Sequence, residues 1–173
     1  MLNSGVKAIL QTLGRGDPRT LTPVGGGCIA DARLAGFGDG TRVFVKSRAA
    51  EPEMFEREAE GLQALASAGA IRVPAVLAVS SEALVLEYIP EGGKQTGFYQ
   101  NFGREFAQLH RSHGPACGFA HDNFIGLTPQ RNAPLSGDWD ALTPGSAGDG
   151  GDWPGFFLER RLRYQAERAE RQG

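Results

Sequence analysis

Three glycines, a lysine on a strand and a glutamate on the following helix, in that order, constrain this chain more than any other feature. The glycines are Gly25, Gly26 and Gly27. The lysine is Lys46, closing Val43-Phe44-Val45-Lys46. The glutamate is Glu58, inside Met54-Phe55-Glu56-Arg57-Glu58-Ala59-Glu60-Gly61-Leu62. A run without side chains lets backbone N–H groups approach a phosphate closely. A lysine on the neighbouring strand adds a point charge to that phosphate. A carboxylate on the next helix can hold the lysine in place.

Helical periodicity sharpens the case for Glu58. At about 100° per residue, Met54, Phe55, Ala59, Leu62, Leu65 and Ala66 fall within one arc of about 140°. Glu58 lands inside that arc, whereas Glu56, Glu60 and Gln63 fall outside it. A carboxylate on a core-facing stripe is costly unless paired, and Lys46 is the candidate partner. The alternative places Glu58 at the rim of the arc, reaching water. Glycine loop, strand lysine and helix glutamate together describe the nucleotide half of a protein-kinase-like fold.

Composition removes several classes of function. The 173 residues suit one domain and allow a real core. A net charge of −2 gives no basic field for nucleic acid. No apolar run approaches the length of a membrane span. The start, Met1 to Lys7, lacks the pattern of a secretory signal. Cys28 and Cys117 fit no metal-binding spacing. A cytoplasmic, reducing setting is therefore the expectation. The Cys28 thiol sits on the glycine run, where oxidation would need a depressed pKa.

The remaining segments read in order. Residues 4 to 13 predict a short amphipathic helix, with Val6, Ile9, Leu10 and Leu13 at helical spacing. Residues 20 to 35 predict two strands around the glycine run, and Gly36 to Gly40 a hairpin turn. Thr41 to Ser47 is the lysine strand. The glutamate helix runs from about Pro52 to Ser67–Gly69. Val73 to Val79 and Ala83 to Ile89 predict two more strands, and Pro90 to Lys94 a break between lobes. Phe102, Phe106 and Leu109 mark a helix over about 98–112, with His110 at the edge of its apolar arc. Residues 113 to 155 are rich in loop signals, with a low-complexity, insertion-like stretch at 143 to 151. Residues 155 to 172 predict a charged helix.

The local signatures, taken in sequence, are Gly25-Gly26-Gly27-Cys28-Ile29, Val43-Phe44-Val45-Lys46, Met54-Phe55-Glu56-Arg57-Glu58, Ile71-Arg72-Val73-Pro74 and Leu84-Val85-Leu86-Glu87-Tyr88. Leu109-His110-Arg111, Cys117-Gly118-Phe119 and His121-Asp122-Asn123-Phe124-Ile125-Gly126 follow. Thr128-Pro129-Gln130-Arg131-Asn132, Trp153, Phe156-Phe157 and Glu159-Arg160-Arg161-Leu162 complete the series. In this order they closely resemble the fructosamine kinase (ketosamine-3-kinase) family, over about residues 20 to 165. The resemblance implies an α+β, protein-kinase-like fold. Residues 1–90 would form an antiparallel-sheet nucleotide-binding N-lobe with one helix. Residues 91–173 would hold the hinge exit and the beginning of a mostly helical C-lobe.

The resemblance also implies Mg²⁺-dependent transfer of the ATP γ-phosphoryl group to the sugar 3-hydroxyl of ketosamines, as small molecules or on glycated proteins, in deglycation repair. Gly25, Gly26 and Gly27 would cover the phosphates, Lys46 would orient them, and Glu58 would hold Lys46. Glu87, Tyr88 and Ile89 would be the hinge whose backbone meets adenine. His121, Asp122 and Asn123 would help shape the sugar site, or form a structural loop. An aminoglycoside- or choline-kinase-type enzyme and a non-catalytic nucleotide-binding module remain alternatives.

One part of the chemistry is missing from the chain. Phosphoryl transfer needs an aspartate near the acceptor hydroxyl and ligands for Mg²⁺. In kinase-like folds these lie in His-x-Asp-x-x-x-x-Asn and a later Asp. None of His110, His113 and His121 begins such a pattern. The family's His-Gly-Asp-Leu-Trp-x-x-Asn motif would fall beyond residue 173. The expectation is an amino-terminal part of such a kinase, with no catalytic residue and no metal ligand of its own. Phe102, Phe106, Leu109, Phe156, Phe157, Leu158, Leu162 and Tyr164 would then lack packing partners in this chain and favour self-association.

Overall fold

The computed structural model describes residues 4–25, 30–47, 51–114, 116–132 and 153–172. Gly26, Gly27, Cys28 and the 143–151 stretch lie outside them. The chain divides into two compact units, residues 1–111 and 112–173. The lobe boundary expected near residue 90 falls within the first unit.

The first unit is built on one antiparallel sheet. Its strands are β1 (Thr20–Pro23), β2 (Asp31–Gly36), β3 (Arg42–Ser47), β4 (Val76–Val79) and β5 (Ala83–Glu87), in the order β1-β2-β3-β5-β4. Helix α1 spans Ser4–Gln11 and helix α2 spans Met54–Ser67. Successive side chains of a strand point to opposite faces, and both faces are covered. Val43 and Val45 of β3 and Ala83 and Val85 of β5 join Val6, Ile9 and Leu10 of α1 in one core cluster. Leu84 and Leu86 join Phe55 and Ala59 of α2 in the other, with Phe44 packed against them. A strand buried on both faces needs a continuous apolar run, which explains Val43-Phe44-Val45 and Ala83-Leu84-Val85-Leu86. The same parity sends Lys46 to the α2 side, with Phe44.

The β2–β3 connection closes as the Asp-Gly signal predicts. Phe37 N–H donates to Thr41 O at 2.8 Å, and Gly40 takes φ +83° at the tip. Asp39 Oδ1 accepts the Thr41 N–H at 2.9 Å, and Arg15 donates to Asp39 Oδ2 at 2.5 Å. The backbone donation from Thr41, with the Thr41 hydroxyl and Arg15, holds the Asp39 carboxyl below its ordinary pKa.

Helix α2 departs from its wheel at the far end. Met54, Phe55 and Ala59 are buried, but Leu65 and Ala66 are exposed. A helix of fourteen residues is about 21 Å long. It outruns the apolar patch offered by Phe44, Val76, Leu84 and Leu86. Its start also differs slightly: Pro52 precedes the helix, and the N-cap is Glu53 at φ 60°.

Helix α3 (Phe98–Leu109) follows, with no buried residue. Phe98, Phe102 and Phe106 stack along one face, with centroid separations of 6.3 and 5.8 Å. His110 meets Phe106 edge-on at 4.5 Å.

In the second unit, β6 (Asn123–Ile125) and β7 (Thr128–Gln130) form a hairpin where the sequence signals predict loop. Strands of three residues containing Pro129 carry almost no periodic signal. The closing helical stretch is α4 (Trp153–Phe157), a π-helical segment (Leu158–Arg163) and α5 (Tyr164–Gln172). Phe156, expected to lack a partner, is instead buried. Gly118, at φ +96°, makes room for it: an added Cβ would lie 2.9 Å from the Phe156 ring and 2.8 Å from Asn132 O. Phe157, Leu158 and Leu162 remain exposed.

Candidate nucleotide site

Lys46 and Glu58 meet. Lys46 Nζ donates to Glu58 Oε1 at 2.8 Å and to Oε2 at 2.5 Å. The side chains are 27% and 33% exposed. Glu58 therefore combines the two readings of its place on the helix: it is paired, and it sits at the rim of the buried arc. Both groups keep access to solvent, which leaves the lysine able to meet an anion.

The register locates the other expected residues. Lys46 lies opposite Ala32 on β2 and opposite Leu84 on β5. The β1–β2 connection leaves the sheet at the Lys46 end, where Pro23 pairs with Arg33 and Val24 N–H donates to Ala32 O at 2.9 Å. Gly25 begins that connection; it is exposed, and nothing lies within 4 Å of where its Cβ would be. Gly26 and Gly27 lie outside the described residues. Glu87 ends β5 opposite Val43, so it stands three residues, about 10 Å, from the level of Lys46. Ile89 is exposed, and the Tyr88 ring carries the Arg42 guanidinium at 4.6 Å.

His121, Asp122 and Asn123 lie together in the second unit, around a residue that sequence reasoning did not single out. Asn132 is fully buried. Its side-chain amide donates to His121 O at 3.0 Å and to Asn123 Oδ1 at 2.8 Å. Its backbone N–H donates to Asp122 Oδ1 at 2.8 Å, and its own Oδ1 accepts from Arg161 at 2.7 Å. Arg161 also donates to Arg131 O and lies 4.8 Å over the Phe156 ring. Burial lowers the Arg161 pKa, with Asp122 acting against it. The only sequence signal for Asn132 is its place after Thr128-Pro129-Gln130.

Among the described residues, no three His, Cys, Asp or Glu side chains gather to hold a metal. Lys46 presents one cation that the Glu58 carboxylate orients, at the end of the sheet where Gly25 begins the β1–β2 connection.

The fructosamine kinase family profile matches residues 1–173. The chain belongs to the fructosamine kinase family. A Synechocystis protein named as a probable ketoamine kinase is 36% identical over 154 residues, covering 86% of this chain and 47% of the relative. A chloroplastic protein-ribulosamine 3-kinase of Arabidopsis thaliana is 34% identical over 156 residues, covering 86% of this chain and 43% of the relative. A crystal structure from Haemophilus somnus, carrying the name fructosamine-3-kinase, superposes with a TM-score of 0.74 at 24% identity. It covers 97% of this chain and 54% of that one. That likeness establishes the fold as α+β and protein-kinase-like. The chain spans about half the length of the curated relatives it matches. No helix among its described residues is long and apolar enough to cross a membrane.

Proposed function

We propose that this chain is the ATP-binding part of a ketosamine 3-kinase. Its whole enzyme would transfer the γ-phosphoryl group of ATP to the sugar 3-hydroxyl of ketosamines, free or on glycated proteins, as deglycation repair in the cytoplasm. The observation that carries this reading is the Lys46–Glu58 pair. It stands at the end of the sheet where Gly25 begins the β1–β2 connection, in a chain of the fructosamine kinase family.

The chemistry follows from the residues present. Lys46, held by Glu58, meets the phosphates as a point charge, and backbone N–H groups of the glycine turn cover them. The main chain at Glu87, Tyr88 and Ile89 meets the adenine. Mg²⁺, when bound by the whole enzyme, shields phosphate charge. His121, Asp122 and Asn123 belong to the acceptor side in this reading. The His121 carbonyl and the Asp122 and Asn123 side chains accept hydrogen bonds from Asn132, which supports a part in shaping that surface. The names of the ketoamine and ribulosamine kinases among the relatives support the acceptor class.

Calorimetric titration of the chain with ATP tests the proposal. Saturable binding that Lys46→Ala abolishes is the expected result. No binding, or binding indifferent to Lys46→Ala, would overturn it.

A further inference from the structure

Two arginines grip the end of β5 from separate parts of the chain. Arg72, in the connection between α2 and β4, donates to Glu87 Oε1 at 2.5 Å. Glu87 Oε2 accepts the Ala75 N–H at 3.3 Å, and the Glu87 N–H returns to Ala75 O at 2.8 Å. The Glu87 carboxylate is thus turned along the sheet, toward the 72–75 segment. One residue later, the guanidinium of Arg42, at the start of β3, lies 4.6 Å over the Tyr88 ring. An arginine over an aromatic face restricts the ring as well as attracting it.

We propose that Arg72 and Arg42 are positioning residues that fix the main chain at 87–89 for a purine base. They set base selectivity and leave phosphate affinity alone. This inference rests on the nucleotide reading above. A base bound through main-chain groups depends on their direction, because hydrogen bonds weaken steeply off axis. Glu87 is the last residue of β5, paired with Val43, and Tyr88 follows beyond the ladder. Arg72 on the Glu87 side chain and Arg42 on the Tyr88 ring add restraint where the ladder ends. The phosphate end at Lys46 lies about 10 Å along the sheet, and neither arginine contacts it among the described interactions.

Arg72 is well exposed, its side chain at 69%, so its removal costs the fold little. The expected effect on base selection is correspondingly modest, about two- to fivefold. The test is calorimetric affinity for ATP, GTP and inorganic tripolyphosphate, in the wild-type chain and in Arg72→Ala, Arg72→Lys and Arg42→Ala. We expect the ATP-over-GTP preference to fall about two- to fivefold in both alanine variants. Tripolyphosphate affinity stays unchanged, and Arg72→Lys restores most of the preference. An unchanged preference in a chain that binds ATP overturns this inference alone. So does a parallel loss of ATP and tripolyphosphate affinity, or a wild-type chain indifferent to the base. A wild-type chain that binds none of the three ligands overturns the nucleotide reading as well.

Discussion

Lys46 holds both carboxylate oxygens of Glu58, at 2.8 and 2.5 Å, across the gap between β3 and the helix that covers it. The pair is about one-third exposed, so its contribution to folding is modest, of order 0–1 kcal/mol. In the nucleotide reading proposed above, its value lies in aiming a cation. Glu58→Gln keeps the shape and removes the charge. We expect ATP affinity to fall roughly tenfold, about 1.4 kcal/mol, with the melting temperature shifted by no more than about 4–8 °C. Calorimetry and a thermal melt on the same preparation measure both.

Turnover should be absent. The sequence holds no His-x-Asp-x-x-x-x-Asn, and its described residues gather no metal-binding cluster. Without that clamp a kinase loses most of its transition-state stabilisation. Incubating the chain with ATP, Mg²⁺ and a fructosyl-amine should yield no phosphorylated sugar. A rate near the kinase range of about 1–100 s⁻¹ would show that the acceptor chemistry resides in residues assigned no such role here.

Much of this was legible in the sequence, for identifiable reasons. Val43-Phe44-Val45 and Ala83-Leu84-Val85-Leu86 announce doubly covered strands, and the parity of Lys46 follows from them. Glu58 was legible because a carboxylate interrupts an apolar arc. Leu65 and Ala66 misled, because periodicity reports which face of a helix is apolar and not how far its partner extends. Phe156 misled for a tertiary reason: its cover is Gly118, thirty-eight residues earlier, and a glycine announces no hydrophobic partner. Asn132 was hidden similarly, its four hydrogen bonds going to His121, Asp122, Asn123 and Arg161.

Gly118 therefore offers a test of the second unit. A Cβ there would lie 2.8 Å from a backbone oxygen and 2.9 Å from Phe156, at φ +96°. The backbone cannot yield as a side-chain tip would. Gly118→Ala should destabilise the 112–173 unit by about 1–3 kcal/mol. Trp153 fluorescence during urea unfolding reports on it, since Trp153 stacks on Phe156 at 5.9 Å. An unchanged midpoint would contradict the packing described.

The aromatic face of α3 carries a different prediction. Phe98, Phe102 and Phe106 are each more than 40% exposed. Each forgoes roughly 1.5–3 kcal/mol available from burial, and a contiguous patch of this kind promotes association. Amide exchange should be slowest in β3 and β5 and fast along α3. Sedimentation should show concentration-dependent self-association, weakened by Phe102→Ser with Phe106→Ser while ATP binding persists. A monomer at all concentrations, with α3 as protected as β5, would contradict the exposure seen here.

We read the sheet of the first unit, with its Lys46–Glu58 pair, as an ATP site. Residue-resolved chemical-shift mapping tests it most directly. Titration of the labelled chain with ATP should move the amides of Gly25, Lys46, Glu58, Tyr88 and Ile89 together along one saturation curve, and Lys46→Ala should remove the response. Shifts confined to other surfaces, or none at millimolar ATP, would contradict the claim.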